Sequence, residues 1–99
     1  MRELNKSIKK ERRNKLEIYF DVIRSIEWES RNLEGTKPTR VQQQCNLSYD
    51  KFSRYMKDLE EKNMIVKTPK ISITSKGRLF LSEYQVIKEF IDKMGFDKL

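Results

Sequence analysis

Apolar residues recur at helical spacing along most of this chain and alternate over one short stretch, and that pattern predicts the elements. From Asn14, which suits an N-cap, Leu16, Tyr19, Phe20, Ile23 and Ile26 predict an amphipathic helix running to about Glu29. Trp28, near its end, is expected to close the core. Residues 30–37 are polar, contain Gly35 and lead into Pro38, so a loop is expected, with Pro38 in the first turn of the next helix, where its missing N–H costs nothing. Over 39–45, Val41 and Cys45 share a face and Gln42, Gln43 and Gln44 cover the exposed side. Asn46-Leu47-Ser48 reads as a tight turn, with Leu47 as its apolar pin and Ser48 as N-cap of a helix over 49–62. There Phe52, Tyr55, Met56 and Leu59 fall at i, i+3, i+4 and i+7 and form a buried stripe.

The period then changes. Residues 64–67 and 71–74 are short strand candidates around Thr68-Pro69-Lys70, and Pro69 belongs at the tip of such a hairpin, not inside a strand. Thr74 caps a last helix from Ser75 to about Met94, where Phe80, Tyr84, Ile87, Ile91 and Met94 step by four and three, with Leu81 and Phe90 broadening the seam. The expected fold is mainly α with a small β-hairpin and a long C-terminal helix. A domain of this size already draws a core from its first three helices, so the C-terminal seam is expected to meet a second copy of the chain. The organisation expected is an N-terminal arm over 1–13, a domain over 14–74 and a dimerisation helix over 75–99.

Charge changes the picture by where it lies. The net charge is +7, but residues 1–15 carry +5, residues 16–35 carry −3, residues 36–57 carry +4 and residues 58–99 carry +1. The excess therefore sits in the arm and in the two helices around the Asn46-Leu47-Ser48 turn, which favours a polyanionic partner at those places. Two helices joined by such a turn are the scaffold that lays its second helix in a DNA groove. The hairpin would then be the wing of a winged helix-turn-helix.

On that reading, the outer face of the second helix carries Tyr49, Lys51, Ser53, Arg54 and Lys57 towards bases and phosphates. Thr39, Arg40 and Gln43 on the preceding helix, together with Ser48 in the turn, are suited to the phosphate backbone. Lys67 and Lys70 place positive charge on the wing. Acidic Asp58, Glu60 and Glu61 follow only after the basic stretch.

The string Asn46-Leu47-Ser48-Tyr49, the Tyr55 to Leu59 stripe, the Asn63-Met64-Ile65 helix exit and the Thr74-Ser75-Lys76-Gly77 opening together resemble the small archaeal winged helix-turn-helix proteins, whose best-known branch is the 10a-type chromatin protein. The resemblance covers about residues 14–94. It implies a winged-helix fold, a homodimer joined by C-terminal helices in an antiparallel coiled coil, and binding to double-stranded DNA through the second helix of the motif and the wing. The triple glutamine departs from the pattern, the last helix is shorter than in the chromatin branch, and the basic arm is not explained by it.

Other chemistry is poorly represented. Histidine is absent, which removes the commonest general base and metal ligand, and one cysteine makes neither a zinc site nor a Cys-His pair. The three glycines are scattered, so no phosphate-cradling loop can be written. No catalytic residue, metal or cofactor is expected, nor a membrane span. The single cysteine, and a charged N-terminus without the apolar stretch of a secretory signal, point to an intracellular protein; with the DNA-binding reading and the chromatin resemblance, the expected location is cytoplasmic and nucleoid-associated. A protein-interaction module without DNA binding is the competing reading, because winged-helix folds also dock proteins. RNA binding is the third, although an exposed aromatic platform is not visible in the pattern.

Overall fold

The computed structural model describes residues 13–95. They form α1 (Lys15–Glu29), α2 (Pro38–Cys45), α3 (Tyr49–Glu61), β1 (Ile65–Val66), β2 (Ser72–Ile73) and α4 (Ser75–Met94). The expected architecture is present, and Pro38 occupies the first turn of α2. The arm expected over 1–13 lies outside the described residues except for Arg13. That guanidinium donates to Asp21 Oδ2 at 2.7 Å and to the Cys45 carbonyl at 2.8 Å, tying the entrance of α1 to the end of α2.

Helix α1 starts where its caps dictate. Asn14 Oδ1 accepts the Glu17 N–H at 2.8 Å and the Asn14 N–H donates to Glu17 Oε1 at 2.9 Å, satisfying two otherwise orphaned donors. One face then buries Ile18, Tyr19, Val22, Ile23 and Ile26 against Val41, Cys45, Leu47, Phe52, Met56, Leu59 and Ile65. Tyr55 only flanks this core, half-buried.

Two positions on α1 depart from expectation. Trp28 does not close the core but is 61% exposed. It lies two residues, about 200°, beyond the inward-facing Ile26, whereas the next inward position, three residues on, belongs to Glu29. The Trp28 ring is instead covered in part by the Arg31 guanidinium, 5.6 Å from its centroid. Leu16, on the flank of the stripe in the first turn, is also exposed.

Glu29 is a buried carboxylate, and such a group persists only when donors surround it. It accepts from Asn32 Nδ2 at 2.9 Å and from Gln44 Nε2, and Arg40 stands 3.6 Å away. The Ser25 hydroxyl donates to Gln44 Oε1. Gln44 therefore fixes α2 onto α1 instead of simply covering the exposed side. Cys45 packs beneath the turn, and burial pushes its thiol up to about 11, so it stays protonated and inert at neutral pH.

The turn between α2 and α3 is tight because Asn46 adopts a left-handed conformation, φ 57°, which asparagine tolerates better than most residues. Leu47 is buried as the pin, and the Ser48 hydroxyl accepts the Lys51 N–H at 3.3 Å to cap α3. Helix α3 is tied to α1 by the Tyr19 hydroxyl, which donates to Asp58 Oδ2 at 3.0 Å, and by Tyr55, edge-on to Tyr19 at 5.7 Å. Burial, and then the bond to Asp58, raise the Tyr19 phenol above its ordinary pKa, so it remains a donor.

In the antiparallel hairpin Ile65 faces Ile73 and Val66 faces Ser72. Its strands are two residues each, shorter than the four expected, and Pro69 stands at the tip. Thr74 closes the hairpin onto α4: its hydroxyl donates to the Asn63 carbonyl at 2.6 Å, and its oxygen accepts the Gly77 N–H at 3.1 Å.

The first half of α4 packs on α1, where Phe20 meets Tyr84 at 5.2 Å and Tyr84 stacks on Phe80 at 5.5 Å. Phe80 and Tyr84, expected at a dimer seam, are thus engaged within the chain. Ile91 is half-buried beside the start of α1, while Ile87 and Met94 are about half exposed. The most exposed large apolar residues of α4 are Val86 at 63%, Leu79 at 60% and Phe90 at 55%.

Candidate nucleic-acid interface

Helix α3 turns Phe52, Met56 and Leu59 inward, which fixes what its other faces present. The side towards the hairpin forms a cleft of about 210 Å³, floored by Phe52, Met56 and Ile71 and rimmed by Tyr49, Ser53 and Lys67. Tyr49 and Ser53 are exposed along this edge, and Lys57 continues it one turn on. Asp50 and Arg54 form the next ridge outward, both exposed. Lys51 is two residues from Tyr49 and from Ser53, hence about 160° around the helix from the wing edge, and is half-buried. Three outward cations stepping by three were expected on α3. Arg54 and Lys57 match, whereas Lys51 sits on the flank away from the wing.

Ion pairing separates the basic residues more sharply than exposure does. Arg40 is engaged by Glu29 at 3.6 Å and Glu34 at 3.7 Å, and its backbone N–H bonds the Lys37 carbonyl at 3.0 Å. Its expected backbone contact therefore competes with bonds it already makes. Glu34 also holds Lys37 at 2.9 Å, and the hydrogen bond from Lys37, with Arg40 nearby, keeps the Glu34 carboxyl below its usual pKa. Lys67 pairs with Glu60 at 3.5 Å, which fastens the wing base to α3. By contrast, Arg54, Lys57 and Lys70 make no ion pair, side-chain hydrogen bond or ring contact among the described residues.

The remaining expected contacts are distributed as follows. Thr39 and Gln43 are exposed on α2. Ser48 is exposed, but its hydroxyl is occupied in capping α3. Tyr49 is 70% exposed at the helix start, an aromatic edge available to a ligand. The residue that the order of charges along the chain passed over is Asp50. It is an exposed carboxylate in the first turn of α3, one turn before Arg54. Its position two before Phe52 could have shown that it shares the outward ridge.

Among the described residues no group of three or more His, Cys, Asp or Glu side chains is placed to hold a metal ion. No described helix is long and apolar enough to cross a membrane. A family model described as winged helix-turn-helix matches residues 12–92. No curated protein matches the chain.

Proposed function

The chain belongs to the winged helix-turn-helix family, whose domains generally bind DNA, and from that premise we propose a homodimeric protein that binds double-stranded DNA, acting as a transcriptional regulator or small chromatin protein. Helix α3 enters the groove and the wing lies on the backbone. The observation that carries this reading is the pair Arg54 and Lys57, exposed on the outer side of α3 and without an ion pair, side-chain hydrogen bond or ring contact among the described residues, as is Lys70 on the wing. A cation with a carboxylate partner has less to gain from a phosphate. These three have the most to gain, and on α3 Lys57 continues the edge of Tyr49 and Ser53 while Arg54 stands on the next ridge outward. Lys67 joins after exchanging Glu60 for phosphate, an exchange made easy because exposed pairs are weak; Arg40 can give up Glu34 in the same way but stays tied to the buried Glu29. Such a protein works on the nucleoid in the cytoplasm, as in the 10a-type branch it resembles.

The second copy is proposed to dock on α4. Leu79, Val86, Ile87, Phe90 and Met94 remain about half exposed or more on one side of this helix, facing away from α1. The stripe is centred on Val86 and Ile87. A two-fold axis at its middle, with the helices antiparallel, sets Leu79 opposite Met94 and Val86 opposite Ile87. The seam is therefore rotated outward from the one expected, because Phe80 and Tyr84 serve the monomer's own core.

Duplex binding is tested by titrating random-sequence DNA at two salt concentrations. Three or four neutralised phosphates per protomer predict an affinity loss of roughly 40- to 150-fold for each protomer seated on the duplex between about 50 and 200 mM salt. Absence of binding at the lower salt would contradict the reading and favour a protein-docking module instead.

A further inference from the structure

Asp50 is not accounted for by phosphate binding. It stands on the outward ridge of α3 directly beside the cations that would carry DNA contact. A carboxylate there is repelled by the phosphate backbone, and a surface that had only to bind polyanion would do better without it. Within the protein it has no ion pair or side-chain hydrogen bond among the described residues. Its place in the first turn of α3 does favour the helix dipole. That benefit is available to an anion anywhere in the turn, including Lys51's flank away from the wing, and does not require the face presented to DNA.

We propose that Asp50 and Arg54 together read a cytosine and a guanine in the major groove, Asp50 accepting from the cytosine N4 amino group and Arg54 donating to guanine O6 and N7. The proposal rests on the duplex-binding reading above. The two residues are four apart on one helix, so their Cα atoms lie about 6 Å apart along the axis. Successive base pairs rise by about 3.4 Å, which places the two targets within about two steps of each other. The chemistry is complementary at both ends. Of the base edges in the major groove, only cytosine and adenine offer an amino donor to a carboxylate, and adenine sets its N7 acceptor beside that amine, where it repels Asp50. Guanine and thymine present only acceptors to Asp50, which is rejected as well as unrewarded. Asp50 thus acts mainly as a filter: it lowers affinity for duplex in general and lowers it least where a cytosine lies opposite.

The test is selection of bound duplexes from a randomised pool by the parent, Asp50→Ala and Arg54→Ala, followed by affinities for the recovered sites and for bulk DNA. The parent is expected to recover sites with a cytosine and a guanine within two steps. Asp50→Ala should lose the preference for that cytosine by roughly tenfold while bulk-DNA affinity rises by about two- to fivefold. Arg54→Ala should lose the guanine preference by about 5- to 150-fold. Asp50→Asn, which keeps the side-chain shape but loses the charge, should also raise bulk affinity and so separates repulsion from folding effects. An Asp50→Ala protein that recovers the parental site unchanged would overturn the proposal while leaving duplex binding intact. So would a parent that binds DNA but selects no site. A parent that retains no duplex at low salt would overturn the duplex-binding reading itself.

Discussion

Replacing Gly77 by Ala is expected to lower the melting temperature by roughly 4–24 °C, the largest effect of an added methyl group among the three glycines. Gly77 is buried in the first turn of α4, where the helix crosses the hairpin. A Cβ built on it would press into the Met64 carbonyl oxygen and lie 2.7 Å from Cγ2 of Ile73. Neither neighbour can yield easily. The Met64 carbonyl already accepts the Thr74 N–H at 3.1 Å, and Ile73 is paired with Ile65 in the hairpin. Forcing the methyl in therefore separates α4 from the wing base and disturbs the Thr74 cap. Overpacking of this kind costs about 1–3 kcal/mol, and each kcal/mol shifts the midpoint of a domain this size by about 4–8 °C. Gly95 supplies the control. It ends α4 with φ 79° and has nothing within 4 Å of an added Cβ, so Gly95→Ala should cost only about 1 kcal/mol of backbone strain. Thermal unfolding by circular dichroism compares them, and a Gly77→Ala protein melting with the parent would refute the packing assigned to this crossing.

The second large effect is on assembly. Val86→Glu combined with Phe90→Glu is expected to convert a dimer into a monomer, read as a halving of mass in light scattering or sedimentation. Both side chains are more than half exposed in the single chain, so the substitutions leave the core intact. In a dimer they would bury four carboxylates without partners, a cost far above what an interface of this size returns. Tyr84→Ala distinguishes this seam from the one expected from the heptad pattern. Tyr84 packs against Phe20 and Phe80 inside the chain, so its loss should lower stability by about 3 kcal/mol and leave the mass unchanged. A doubly charged variant that keeps the parent's mass, or a parent that is itself monomeric, would remove the α4 seam.

These two predictions mark the boundary of what periodicity reveals. The elements of the fold are legible because their determinants are local: the Asn14 and Ser48 caps, Pro38 at a helix start, the i, i+3, i+4 and i+7 stripe of α3, and Pro69 at a hairpin tip. Their structural counterparts lie within a residue or two of expectation, apart from the shorter strands. Which of two faces of α4 is already covered is not local information. The heptad register runs through Phe80 and Tyr84, but Phe20 on α1, some sixty positions away in sequence, claims those rings. Trp28 departs from expectation for a related reason. Its size argues for burial, yet the inward position belongs to Glu29, and a buried carboxylate is intelligible only once Gln44, Asn32 and Arg40 are seen around it.

On the outer side of α3 and on the wing the sequence shows which residues are charged, and Arg54, Lys57 and Lys70 are exposed as that reasoning expects. It does not show which cations are already paired. Arg40 and Lys67 look equivalent to Arg54 in the sequence, but Glu29, Glu34 and Glu60 reach them from other elements. In the sequence Lys51 and Lys57 differ by their angle around the helix, and in the structure that angle leaves Lys51 half-buried and Lys57 exposed beside the edge of α3 that the wing frames.

The most direct test of the outward α3 face as the duplex-binding surface is an equilibrium titration of one fluorescent duplex with the parent and with Arg54→Ala/Lys57→Ala at about 0.1 M salt. Neither side chain supports the fold through an ion pair or side-chain hydrogen bond among the described residues, so melting should be unchanged. Affinity should fall by about 30-fold or more, with the slope of log affinity against log salt reduced by about two for each protomer seated on the duplex. A double variant that binds with the parent's affinity and slope would place any DNA contact elsewhere and contradict the account.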